Sequence, residues 1–186
     1  MLDLLRLLLV YLGSLSKPRR SLLADSVLKL RVWPSDLDLN LHLNNARYLN
    51  FMDLGRVDLL LAGGLGFWER RGRQPLVALS FCRYFKPLGP FQSFEVHTRL
   101  LGLDEKWFYF EQRFMREGRL HALGAVKGLI VDKNGPVPTR DLFGAVGLEP
   151  PVSPELPGWM LEWLRCERAA IDHLKSESGT PPGPKP

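Results

Sequence analysis

Asp36, Asp38, Asn40, His42 and Asn44 take every second position of one short segment, with Leu37, Leu39, Leu41 and Leu43 between them. An extended backbone sends successive side chains to opposite faces. The spacing therefore predicts one face of leucines and one of carboxylates, amides and an imidazole. A helix is expected to start directly afterwards, at Asn44 or Asn45, and a helix N-terminus attracts negative charge. Carboxylates and imidazoles are the groups that give and take protons in acid–base catalysis. An imidazole such as that of His42 ordinarily titrates at about 6.5, suited to such work near neutrality. The plainer reading is that Asp36, Asp38 and Asn40 satisfy loop backbone while Asn44 caps the helix.

Something must hold this row in place. Ser26 to Trp33 reads as a first strand, broken by Pro34-Ser35. Asn45 to Leu61 reads as the main helix, with Asn44 as N-cap and Gly63-Gly64 as its stop. Its apolar residues spread nearly all round the cylinder, leaving Arg47, Asn50 and Asp53 as a polar line, so the helix should be buried. Asp53 and Arg56 are one turn apart and read as an ion pair. Four segments then alternate as strands: Leu76 to Phe85, Ser93 to Leu103, Trp107 to Arg116 and His121 to Asp132. The turns between the later ones are short, which forces antiparallel pairing. A strand, a long buried helix and four antiparallel strands describe an α+β domain with one helix laid on a sheet. The organisation expected is an apolar helix and linker over 1–21, the main domain over 22–150, a helical extension over 151–175 and a disordered tail over 176–186.

A chain of 186 residues with a net charge of +5 suits an anionic ligand better than nucleic acid, because no dense Lys/Arg run with interleaved aromatics occurs. Cys82 and Cys166 form no metal-binding or disulfide pattern and read as reduced thiols of a cytoplasmic protein. No metal or cofactor is called for. Leu2 to Leu12 is strongly apolar, yet shorter than the roughly 20 residues that span a bilayer. On a helix Asp3, Arg6, Val10, Gly13, Ser14 and Lys17 share one stripe and leucines cover the rest. Two readings stand: an amphipathic helix packed on the protein, or a helix held weakly on a membrane by its leucines and by Lys17, Arg19 and Arg20.

The run from Asp38 to Asn45, followed by Ala46-Arg47-Tyr48-Leu49, resembles the active-site segment of hotdog-fold thioesterases. It shares an Asp-x-Asn-x-His-x-Asn-Asn pattern with plant acyl-carrier-protein thioesterases. It is also similar to the 4-hydroxybenzoyl-CoA thioesterase family and to the animal thioesterase-superfamily-member proteins. The resemblance spans roughly Lys29 to Val131. It implies a hotdog fold, a long central helix wrapped by a curved antiparallel sheet, and homodimers or homotetramers with active sites near subunit interfaces. It implies hydrolysis of acyl thioesters of coenzyme A or acyl carrier protein. Asp38 would then be nucleophile or general base, with Asn40 and His42 completing the catalytic row. Backbone amides at Asn45 and Ala46 would polarise the thioester carbonyl, with Tyr48 and Asp53 among the substrate contacts. The plant enzymes carry two hotdog units in one chain; this chain has one. The other function class weighed is a non-catalytic acyl-binding or membrane-tethered scaffold with the same fold.

Overall fold

The computed structural model describes residues 2–15, 18–65 and 72–177. The chain divides into two units, 1–153 and 154–186. The first holds helix α1 (Leu2–Leu15), strand β1 (Ser26–Arg31), a single 3₁₀ turn (Pro34–Asp36), helix α2 (Asn45–Ala62), and strands β2 (Gln74–Tyr84), β3 (Ser93–Leu103), β4 (Phe108–Arg116) and β5 (Arg119–Asp132). A two-residue strand β6 (Gly135–Pro136) and helix α3 (Thr139–Gly144) follow. The second unit carries helix α4 (Gly158–Glu177). Most of the tail expected to be disordered lies outside the described residues.

Among the described residues the strands form one antiparallel sheet in the order β1-β3-β4-β5-β2, with β6 added to β5. Alternation sends Phe94, Val96, Thr98 and Leu100 of β3 to the same face as Phe108, Phe110, Gln112 and Phe114 of β4; Val96 pairs with Phe114, Thr98 with Gln112 and Leu100 with Phe110. Helix α2 lies on this face. Asn44 starts it by accepting the Ala46 N–H at 2.9 Å, and the Gly63 N–H ends it on the Leu59 carbonyl. Phe51 meets Phe94 with ring centroids 5.2 Å apart, and Tyr48 meets Phe114 at 4.9 Å. The helix buries polar residues as well, Arg56 and Asp58 among them.

Two glycines let the helix sit this close. Gly55 faces β3 and β4: a methyl group there would overlap the Thr98 hydroxyl and approach Gln112 Nε2 at 2.8 Å. Gln112 fills the space instead with a polar seam. Its amide donates to the Met52 carbonyl at 2.8 Å and to Thr98 Oγ1 at 2.9 Å, while its oxygen accepts from Arg56 at 2.8 Å. Arg56 in turn pairs with Asp53, as the spacing predicted. Gly124 of β5 accepts the terminal methyl of Met52, which would lie 2.5 Å from an added Cβ.

Gly55→Ala is therefore expected to lower stability by about 1–3 kcal/mol through overpacking, despite alanine's better helix propensity. Gly124→Ala should cost less, because the flexible end of Met52 can swing aside. Thermal melting of the two variants against the parent checks the order.

Candidate active site

The alternating row does not form a strand. Pro34–Asp36 make a 3₁₀ turn, Leu37 and Leu43 form an isolated antiparallel bridge, and residues 38–42 close a tight loop between them. The Asp38 N–H donates to the His42 carbonyl at 2.8 Å, and the Leu41 N–H to the Asp38 carbonyl at 3.1 Å. Leu41 takes a φ of 58°, a left-handed conformation that ends any alternation. The expected leucine face is accordingly split. Leu43 is buried and Leu37 partly so, whereas Leu39 and Leu41 are exposed. Pro34 stops the strand, and the side chain of Asp38 competes for backbone that a strand would have used.

The two acids of the row have separate roles. Asp36 is completely buried. Arg6 grips it with two nitrogens, at 2.9 and 2.6 Å; Arg47 reaches it at 2.7 Å; the Trp33 N–H donates to it at 2.8 Å. Burial opposes its charge, but the bonds from Arg6, Trp33 and Arg47 outweigh that and hold the carboxyl below its ordinary value. Asp36 is thus a structural clamp joining α1, the loop and the first turn of α2. The signal for it was weak, because Arg6 is 30 residues away and no local spacing links them.

Asp38 is half-buried. Its Oδ1 accepts from the Asn40 N–H at 2.8 Å and the His42 N–H at 3.2 Å. Its Oδ2 takes no hydrogen bond among the described residues. Asn40 and His42 therefore meet Asp38 through their backbone, and their side chains are exposed. At the start of α2 the Ala46 N–H is already taken by Asn44, so it is not a free donor. Asn45 is an exposed residue whose N–H meets no acceptor among the described residues, while its carbonyl accepts from the Tyr84 hydroxyl at 3.3 Å. Tyr48 lies inward, enclosed by Tyr84 and Phe114 at 4.9 Å each, and burial raises its hydroxyl pKa well above normal. Burial also pushes the nearby Cys82 thiol up to about 11, so it stays protonated at neutral pH.

A cavity of about 310 Å³ opens farther along α2. Val57, Leu60, Phe108, Phe110 and Gly128 give it an apolar lining, with Asp53, Arg56 and Arg73 supplying the charge. The Asp53 side chain is largely solvent-exposed, yet the apolar lining desolvates its carboxyl and raises its pKa against the pull of Arg56. Such a lining and volume fall at the lower end of small-molecule sites, roughly 300–1,000 Å³. From Asn45 to Leu60 the helix rises ~22 Å, so one chain keeps its carboxylate loop and most of its cavity apart.

A helix held on an antiparallel sheet, with an acidic loop at the helix N-terminus, defines a hotdog protein, and the comparisons agree. The thioesterase-like superfamily matches residues 32–164, and the chain belongs to that family. It is 31% identical over 151 residues to protein THEM6 of Xenopus laevis, covering 80% of this chain and 71% of that protein. A probable thioesterase of Emericella nidulans, atnL, is 28% identical over 113 residues, 50% of this chain and 37% of that protein. Among solved structures, the DHNA-CoA thioesterase of Staphylococcus aureus shares the fold with a TM-score of 0.60 at 13% identity, covering 80% of this chain and 95% of that one. The hotdog fold expected from the motif is the fold observed, and the family's chemistry is thioester hydrolysis.

Removing Arg6 should lower stability by up to ~3 kcal/mol, below the full penalty of an unpaired buried charge because Arg47 and the Trp33 N–H still hold Asp36. The clamp also sets an acid limit. Asp36 has a depressed folded pKa, so its stabilisation is complete above the unfolded value of about 3.9 and is lost as pH falls through the folded value. Thermal midpoints should stay level down to about pH 5 and drop below pH 4, and Asp36→Asn should flatten that acid limb.

Proposed function

We propose that this protein hydrolyses acyl thioesters, carried on coenzyme A or acyl carrier protein, with Asp38 as general base or nucleophile. The observation that carries the reading is the pairing of a half-committed carboxylate with an unclaimed amide. Asp38 is held by Oδ1 and keeps Oδ2 for a water or a carbonyl carbon, while the Asn45 N–H at the positive end of α2 is available to a developing oxyanion. Asn40 and His42 border the same loop and would orient the water and share its proton. The apolar cavity suits an acyl chain, with Asp53 at its charged rim.

The site is completed by a second copy. Strand β2 is a sheet edge whose Leu76, Val77 and Tyr84 are exposed, and a bare edge is a template for another strand. Antiparallel pairing of β2 with its copy about Leu79 sets Tyr84 of one subunit opposite Gln74 of the other. Within one chain those strand ends are ~33 Å apart. Tyr84 is bonded to the carboxylate end of α2, and Pro75 to Val77 line the cavity. A two-fold dimer therefore joins one subunit's Asp38 loop to its partner's cavity.

The backbone bonds on Asp38 and the cap on Ala46 favour a second reading, a non-catalytic acyl-binding scaffold. Asp38→Asn separates the two. An asparagine oxygen still accepts from Asn40 and His42, so the loop and the melting temperature should be preserved, while turnover of a long-chain acyl-CoA should fall on the order of 10²-fold or more. Asn40→Ala and His42→Ala should cost less. Parent turnover no higher than that of Asp38→Asn supports the scaffold.

Val57→Phe fills the cavity and should shift preference toward shorter acyl chains. Mixing Asp38→Asn with Val57→Phe then tests the shared site. On a long-chain substrate that neither variant hydrolyses alone, each heterodimer rebuilds one intact site of two, so an equimolar mixture should recover roughly a quarter of parent activity. No recovery, with light scattering showing a stable active monomer, would return the whole site to one chain.

A further inference from the structure

Helix α1 docks by its polar stripe and turns its leucines outward. Arg6, Val10 and Ser14, successive at one-turn spacing, are buried, whereas Leu4, Leu5, Leu8, Leu9 and Leu12 are between 50% and 71% exposed. Arg6 enforces this orientation. Its guanidinium is ion-paired with Asp36, donates to the Arg31 carbonyl at 3.2 Å and lies 4.8 Å from the centre of the Phe51 ring. Rolling the leucines inward would withdraw Arg6 and leave a fully buried carboxylate without that partner. The fold therefore maintains an apolar surface strip that folding alone would not select.

The exposed apolar surface extends around the same clamp. Trp33, whose N–H binds Asp36, is exposed and meets the exposed ring of Phe91 edge-on at 6.3 Å. Phe91 takes a φ of 60°, an unfavourable conformation for an aromatic residue. A basic residue stands at the clamp as well: Arg31, whose carbonyl accepts from Arg6, is exposed.

We propose that the outward leucine face of α1, with Trp33 and Phe91 beside its clamp, docks flat on an anionic lipid bilayer. Three features select this occupant. At 14 residues α1 is ~21 Å long, short of the ~30 Å hydrocarbon core, and no helix among the described residues is long and apolar enough to cross a membrane. Lying in the plane, it would set its five leucines at the acyl boundary. Aromatic rings suit the headgroup level, and the exposed Arg31 at the clamp suits anionic lipid.

Vesicle flotation of the full chain tests this, using phosphatidylcholine vesicles with and without phosphatidylglycerol. The parent protein should float with the anionic vesicles, less so at high salt and on neutral ones. Leu5→Gln/Leu9→Gln, two exposed substitutions, should lower the bound fraction by at least ~10-fold, the scale of withdrawing two leucines from apolar contact, with melting unchanged. Leu8→Gln/Leu12→Gln should behave alike and guards against a folding defect in the first pair. Parent protein that stays with the soluble fraction on both vesicles overturns the proposal. So do leucine variants that float as the parent does, or that break a larger assembly in light scattering, which would assign the strip to a second copy.

Discussion

The buried Asp36 carboxylate gathers on one point three parts of the chain that are distant in sequence. Arg6 brings α1 to it, Arg47 brings the first turn of α2, and the Trp33 amide brings the end of the first strand. A charge in this position is costly to bury, and its partners must be complete for it to remain ionised. That requirement sets geometry. The loop bearing Asp38 begins two residues after the clamp, so its position relative to the helix N-terminus is set by the ion cluster together with the Leu37–Leu43 bridge and the Asn44 N–H bond to the Asp36 carbonyl. The same cluster decides which face of α1 is hidden, and so exposes its leucines.

A second polar seam runs beneath the sheet. Gln112 satisfies the Met52 carbonyl, Thr98 and Arg56 together, and Arg56 carries the connection to Asp53 at the rim of the cavity. A buried network of this kind is stabilising when every member is satisfied and costly when one is missing. It needs room, and Gly55 supplies it. Packing on the rest of α2 is aromatic and tight; on β5, Gly124 gives its space to the Met52 methyl and Gly128 lines the cavity. The cavity and the polar seam thus arise from the same shortage of side-chain volume where α2 crosses the middle of the sheet.

The candidate chemistry is divided along α2. Its N-terminus offers the Asn45 amide, a few residues after the Asp38 loop; its later turns offer apolar lining and a carboxylate raised by desolvation. Strand β2 runs between these two ends as an exposed edge. An antiparallel two-fold along such an edge exchanges its ends, which is the simplest way for a single hotdog unit to unite both halves.

Much was legible from local pattern. The α2 boundaries followed from Asn44 and Gly63-Gly64, because caps act within a turn of the residues they satisfy. The four later strands followed from period-two alternation; β3 matched residue for residue, and the others moved by one or two positions. The small elements β6 and α3 were missed, since neither is long enough to carry a period. The Asp-x-Asn-x-His-x-Asn-Asn motif indicated the family and the hotdog fold without any coordinates. Its alternation was misleading about shape, because a side-chain-to-backbone turn at Asp38 and a left-handed Leu41 look the same in sequence as an extended row. Tertiary structure alone decided which acid was structural. Asp36 and Asp38 are equivalent by spacing, and they differ because Arg6, distant in the chain, lies over one and not the other. It also decided that Ala46 is capped, that Tyr48 belongs to the core, and that the leucines of α1 face outward. Each of these depends on a partner far away in sequence or on which side of an element is covered, and composition and periodicity carry no record of either.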